Sequence, residues 1–188
     1  MRRLVFYSIV TADGMYSDEH GGLDFYDPAE DEHRYAEDLT RGAGDIVMGR
    51  VMYSVMGYWD TLDVADPGVP EIERDFAMAW RGVPKHIASR GTPELGPNAQ
   101  LLGPDTIEAV RRLKQGDGPD IGLGCGAALL ATLTQAGLID AYQVLVIPTA
   151  IGRGKALWSE LDAPLPLRLV GTRTFSSGSV LLEYEPAS

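Results

Sequence analysis

Three short stretches carry most of the chemical content of this chain. Ile46-Val-Met-Gly-Arg-Val-Met-Tyr53 is an apolar run entering Gly49-Arg50, and Gly122-Leu-Gly-Cys-Gly-Ala127 repeats the pattern later. Between them, the run Pro84 to Ser89 ends in Ser89-Arg90. A strand that passes through glycine into a helix presents free backbone N–H groups and the positive end of a helix dipole, which together can hold a phosphate. Two such junctions with an arginine between them point to a dinucleotide.

Each stretch also has a plainer reading. Gly49 lets backbone approach a ligand, and Arg50 can form paired charge-assisted bonds to phosphate oxygens. The same dipeptide serves equally as a strand–helix turn with its arginine paired to an acidic neighbour. Ser89 and Arg90 suit a ribose 2′-phosphate, but also a solvated loop. Gly122, Gly124 and Gly126 at alternate positions imply close approach, either of a ligand or of a packed helix. They do not form G-x-G-x-x-G. The acid about 20 residues downstream that would bind a ribose is absent from the expected place, and Asp140 falls at the start of a strand, the wrong end for that role.

Other reactive residues are sparser. His20, His33 and His86 have no metal-ligand spacing to one another or to Cys125, and read as surface or cleft residues. Cys125 stands just before a helix, which lowers a thiol pKa, but no histidine lies near it in sequence, and it is not read as a nucleophile. Tyr58-Trp59 and Trp80 fit either a pocket for a planar ring or the core.

These residues need a frame. Leu4 to Val10 predicts a strand, Met15 to Pro28 a loop able to cover a cleft, and Ala29 to Arg41 a helix ended by Gly42. Asp45 to Met48 predicts a strand with a brief helix towards Met56, followed by a loop from Thr61 to Pro70. Glu71 to Trp80 reads as a short helix or an extended excursion. Pro84 to Ser89 and Gln100 to Gly103 predict strands, and a helix starts at Pro104 with Asp105 in its first turn and Lys114 in its last. Asp120 to Leu123 predicts a strand, Ala127 to Ala136 a helix and Tyr142 to Pro148 a strand. Arg168 to Phe175 and Val180 to Glu185 form a hairpin across Ser176-Ser-Gly-Ser179. The alternation predicts a mixed α/β sheet flanked by helices, with an antiparallel C-terminal hairpin.

At 188 residues, with 45% apolar and 23% charged content, one domain over 1–188 is expected. No apolar run approaches the roughly 18 residues of a membrane span, and Met-Arg-Arg-Leu-Val-Phe-Tyr at the N-terminus reads as a first strand, not a signal peptide. The single cysteine excludes an internal disulfide and fits a cytoplasmic protein. A net charge of −11 argues against nucleic acid as a partner. Residues 1–80 hold 17 acids and 6 bases, which accounts for all of it, whereas residues 81–188 hold 10 of each. Anion-binding potential therefore lies in the second half, plus Arg50.

Taken in chain order, Asp13-Gly14, Gly49-Arg50-x-x-Tyr53, Ser89-Arg90 and Gly122-x-Gly-x-Gly-Ala127 resemble the dihydrofolate reductase-like superfamily. Within it, Ala136-Gly-Leu-Ile-Asp140 and the run from Pro148 to Trp158 are similar to the riboflavin-biosynthesis reductases, the C-terminal domain of bifunctional deaminase-reductases. No zinc-deaminase motif accompanies them. The resemblance implies a reductase that binds NADPH. It places Gly49 and Arg50 at a phosphate-holding turn, Ser89 and Arg90 at the 2′-phosphate, and Gly124, Cys125, Gly126 and Ala127 at the pyrophosphate and nicotinamide ribose. Asp13 and Gly14 would lie beside the nicotinamide. A carboxylate on the first helix would aid protonation; Glu32, sharing a helical face with Ala36 and Leu39, is the candidate, with one more solvated acid as its alternative. Implied too are a small-molecule substrate, a heterocycle or carbonyl compound, and a homodimer. Dihydrofolate reductase proper, and a nucleotide-binding protein without catalysis, are the rival readings.

Overall fold

The computed structural model describes residues 1–187. Strand β1 (Leu4–Thr11) alternates Leu4, Phe6 and Val10 into one hydrophobic cluster, with Tyr7 and Ile9 packed into another. It is therefore covered on both faces, as a central strand must be. A short strand β2 (Met15–Ser17) follows, then helix α1 (Glu30–Gly42), β3 (Asp45–Gly49), and the consecutive short helices α2 (Arg50–Met56) and α3 (Tyr58–Thr61). Helix α4 (Glu71–Gly82) resolves the ambiguous segment. It buries Phe76, Ala77 and Trp80, which lie on one face at helical spacing, after Pro70 at its N-cap.

Next come β4 (Lys85–Ala88), β5 (Ala99–Leu101), α5 (Thr106–Gln115), β6 (Ile121–Gly124) and α6 (Ala127–Gln135). Asp105 lies one position outside α5, not in its first turn: its carboxylate accepts the Glu108 N–H at 2.9 Å as the N-cap. The chain ends with β7 (Ala141–Ile147), β8 (Lys155–Ala156), β9 (Leu167–Thr174) and β10 (Val180–Pro186).

Eight strands form one sheet in the order β5-β4-β3-β6-β1-β7-β10-β9. Every pairing from β5 to β7 is parallel, and β10 and β9 are added antiparallel. Val110 of α5 and Leu130 and Leu133 of α6 pack against Leu4, Phe6 and Val47 on one face. On the other, Ile46 and Met48 meet Phe76 and Trp80 of α4 and Ala36 of α1. The segment expected to be wholly loop contains β2, which pairs antiparallel with β8 in a separate two-stranded ribbon.

This order creates the site. β3 and β6 are parallel neighbours, yet the chain leaves β3 into α2 and leaves β6 into α6. The helices that follow, α4 and α6, cover opposite faces of the sheet. In an open α/β sheet such a divergence leaves a crevice beyond the carboxyl ends of the strands.

Candidate functional site

A cleft of about 1470 Å³ opens there. Its walls include Gly49 and Arg50 at the start of α2, Ser89 and Arg90 after β4, and Gly126 and Ala127 at the start of α6. Positions far apart in sequence are thus brought together by strand order alone. The charge of this surface is inverted relative to the molecule. The protein carries 27 acidic residues, yet the cleft lining contains two arginines and no carboxylate. Among the described residues neither arginine is in an ion pair. The pairing of Arg50 with an acidic neighbour, one of the two readings of Gly49-Arg50, is not formed.

The backbone adds to this potential. Helix α6 has Gly126 as its N-cap in an extended conformation, with no side chain capping the first turn. Its leading N–H groups therefore remain available to an anion, favoured by the helix dipole. A Cβ on Gly126 would stand 3.0 Å from the Tyr16 phenol oxygen, so a larger residue there presses on the aromatic side chain from β2. The other two glycines of the motif serve packing. A Cβ on Gly122 would meet Ile46 at 3.5 Å, and one on Gly124 would meet Met48 at 3.4 Å. All three glycines of the triplet therefore stand close to protein side chains. At Gly49 a Cβ would contact Cys125 and Leu129 at 3.6 and 3.8 Å, ordinary distances, so the protein itself does not demand glycine there.

Gly124 and Cys125 fall outside the cleft lining. Cys125 is 2% exposed, and burial pushes its thiol up to about 12, the opposite of the lowering its place before α6 predicts. Desolvation prevails because the side chain enters the core.

The two acids singled out for catalysis are also outside the lining. Asp13 accepts from the Thr11 hydroxyl at 2.5 Å, Gly152 N–H at 2.7 Å and Ile151 N–H at 3.3 Å. The Thr11 hydroxyl, followed by the Gly152 N–H, holds its carboxyl below the usual carboxylate range. Asp13 thereby fastens the β1–β2 turn to the loop after β7; Gly14 supplies the left-handed backbone of that turn, at φ +83°.

Glu32 is 1% exposed, so the alternative of one more solvated acid does not hold. One carboxylate oxygen accepts the Ala29 N–H at 2.8 Å and the Tyr26 hydroxyl at 3.3 Å; the other accepts the Ser177 hydroxyl at 2.6 Å. Beside it Asp31 accepts the Ser176 N–H and hydroxyl at 2.9 and 2.8 Å. The paired acids clamp the β9–β10 turn onto the start of α1.

Of the remaining candidates, His20 and Tyr58 are exposed, whereas His86 is buried between Asp45 at 2.7 Å and Gln100 at 3.1 Å, beside a second, smaller pocket. His33 packs edge-on against Trp59 and Phe76, and partial burial lowers its pKa. Trp80 belongs to the core. Sequence reasoning missed Tyr16 and Ser17, which the pairing of β2 with β8 carries to the cleft wall. That pairing also brings the Lys155 ammonium to 3.5 Å from the side-chain position of Gly21, at the cleft rim. An isolated three-residue strand inside a polar loop leaves little periodic signal.

The family model for the RibD C-terminal domain matches residues 2–181. YyaP of Bacillus subtilis strain 168, described as uncharacterized, is 28% identical over 183 residues, covering 97% of this chain and 94% of the relative. Two solved structures share the fold. One is the Thermotoga maritima diaminohydroxyphosphoribosylaminopyrimidine deaminase/5-amino-6-(5-phosphoribosylamino)uracil reductase, with a TM-score of 0.70 and 16% identity over 99% of this chain and 57% of that one. The other is dihydrofolate reductase from Enterococcus faecalis complexed with NADP(H), with a TM-score of 0.65 and 13% identity over 99% and 97%. The sheet and its helices are those of the dihydrofolate reductase-like fold.

Proposed function

The chain belongs to the RibD C-terminal domain family, and from that premise we propose that it is an NADPH-dependent reductase of a small heterocyclic or carbonyl substrate. The observation that carries this reading is the inverted charge of the cleft: two unpaired arginines and an uncapped helix terminus, with no carboxylate, in a protein of net charge −11. Such a surface fits several phosphates on one ligand.

Arg50 and the backbone of Gly126 and Ala127 hold the pyrophosphate from two sides. Ser89 and Arg90 receive the 2′-phosphate, with Gly49 forming the floor between the halves. Gly14, with Asp13, shapes the turn beside the nicotinamide, while Gly124 and Cys125 support the end of β6 from within the core. The nicotinamide, when bound, supplies the hydride, and the protein orients it. Asp13 and Glu32 are committed to hydrogen bonds that hold the fold, so the proton comes from water reaching the cleft and these acids act on it only through position. The names of the structural relatives support the reading: one is a deaminase/5-amino-6-(5-phosphoribosylamino)uracil reductase, the other a dihydrofolate reductase complexed with NADP(H).

Edge strand β9 leaves Leu169 and Val170 about half exposed, which supports a homodimer through the C-terminal strands. No helix is long and apolar enough to cross a membrane. A single cysteine, which leaves no internal disulfide, supports a cytoplasmic location. We read the whole chain as one catalytic unit, because its sheet draws strands from both ends of the sequence.

Thermal shift with NADPH and NADH tests the cofactor. NADPH raises the midpoint more, and Arg90→Ala narrows the difference; equal shifts for both cofactors in the wild type would sink the 2′-phosphate assignment. NADPH consumption with dihydrofolate and with the ribosylaminouracil intermediate, run side by side, assigns the substrate. The engagement of both candidate acids favours one second reading, a protein that binds NADPH without turnover. Tight NADPH binding with no consumption across a broad substrate panel would select it.

A further inference from the structure

The motif Gly49-Arg50-x-x-Tyr53 contains one residue to which nothing above gives a role. Tyr53 lies one turn beyond Arg50 on α2, is 6% exposed, and packs its ring in the cluster with Ile87, Phe76 and Trp80. Its hydroxyl reaches out of that cluster to accept the Gly96 N–H at 2.7 Å. Gly96 belongs to the segment between β4 and β5 that begins with Ser89-Arg90 and continues along the cleft wall through Thr92 and Pro93.

We infer that Tyr53 is a positioning residue that sets the preference for NADPH over NADH, by tying the segment carrying Arg90 to the helix carrying Arg50. The inference rests on the cofactor reading proposed above. The physical argument is one of tethering. The Arg90 side chain is exposed and makes no ion pair, so its position depends on the backbone beneath it. That backbone leaves β4 after Ala88 and returns at Ala99. Between these ends it is anchored by Leu95, packed against the same cluster, and by the Tyr53 hydroxyl. The contact is crowded as well as bonded: a Cβ on Gly96 would lie 3.3 Å from the Tyr53 oxygen and 3.2 Å from the Asp60 carboxylate, which itself accepts the Trp80 indole N–H at 3.0 Å. Glycine at 96 lets the loop close onto the tyrosine. An arginine held in place before the ligand arrives gives up less freedom on binding.

Tyr53→Phe removes the hydroxyl and leaves the ring in the core. Gly96→Ala disturbs the same contact from the loop side. Kd values for NADPH and NADH, from quenching of protein fluorescence, are measured for each variant and in an Arg90→Ala background. Losing a tether of one hydrogen bond weakens NADPH by about three- to tenfold, with NADH changed less than about twofold. Tyr53→Phe then adds nothing once Arg90 is gone, the non-additivity expected when one residue acts through another. Equal weakening of both cofactors in Tyr53→Phe, or a full additional loss in the Arg90→Ala background, would overturn the positioning role and make Tyr53 a packing residue. A wild-type protein that binds both cofactors equally overturns the 2′-phosphate assignment itself, and this inference with it. A wild type that prefers NADPH while Tyr53→Phe keeps the full preference overturns only the inference.

Discussion

The phenol oxygen of Tyr16 stands 3.0 Å from the point that a Cβ on Gly126 would occupy, so a side chain from β2 rests directly on the N-terminus of α6. The ribbon of β2 and β8 holds the tyrosine over the helix start, and the absence of a side chain at 126 keeps both the phenol and the helix N–H groups in place.

Gly126→Ala therefore forces Tyr16 to move by a few tenths of an ångström where the phosphates are proposed to bind. The expected result is NADPH affinity lowered about fivefold or more, with a stability cost of about 1 kcal/mol, the low end for overpacking. Gly49→Ala, whose Cβ meets Cys125 and Leu129 at ordinary distances, keeps both within about twofold and about 0.5 kcal/mol. Titration and thermal unfolding of the two variants in parallel measure this. A larger loss of affinity in Gly49→Ala would reverse the assignment of the two glycines.

Glu32→Ala leaves the Ala29 N–H and the Ser177 hydroxyl without their buried acceptor. Each unmet group costs about 1–3 kcal/mol, about 2–6 kcal/mol for the two, so the thermal midpoint falls by at least about 4 °C for a chain of this size. Glu32→Gln, which keeps the shape, loses less. In the active enzyme Glu32→Gln retains kcat within about threefold. A loss of 10²–10⁴, the usual range for removing a general acid, would restore Glu32 as the proton donor.

Asp13 and Asp31 both have their carboxyl pKa lowered on folding, Asp13 chiefly by the Thr11 hydroxyl and Asp31 chiefly by the Ser176 N–H. Their contribution to stability is fully present above the unfolded carboxylate pKa of about 3.9. It is lost as pH falls through the lower folded values. Urea unfolding of the wild type therefore weakens below about pH 4, while Asp13→Asn and Asp31→Asn are less stable at pH 7 and show a flatter acid limb. An acid limb as steep as that of the wild type in both variants would refute the linkage.

Cys125 gives a probe of opening. With its thiol pushed up to about 12 and its side chain in the core, it reacts with a disulfide reagent at pH 8 only when the end of β6 opens. Native protein should show near-zero labelling over minutes and one thiol in denaturant. NADPH should slow the reaction further. Rapid native labelling would show that the strand end is open at rest.

The junctions at Gly49-Arg50 and Gly126-Ala127 were legible because they are local: an apolar run, a glycine and a helical run announce a turn within a few residues. The strands Leu4–Thr11 and Asp45–Gly49, and the terminal hairpin, were legible for the same reason. Helix α4 was not, because its Trp80 and Phe76 become an inward face only once α1 and the sheet stand beside it.

What the sequence determined by itself was the set of strand–glycine–helix turns, the acidic bias of residues 1–80 and the basic residues that escape it. The tertiary structure decided which of these meet. Gly49, Arg90 and Gly126 share one cleft because β4, β3 and β6 are neighbours in the sheet, an order no local pattern encodes. It also decided what the acids do. Asp13 finds its N–H donors 138 and 139 residues away, and Glu32 its serine 145 residues away. A carboxylate's role depends on its solvation and its donors, and both are assembled only when distant segments pack.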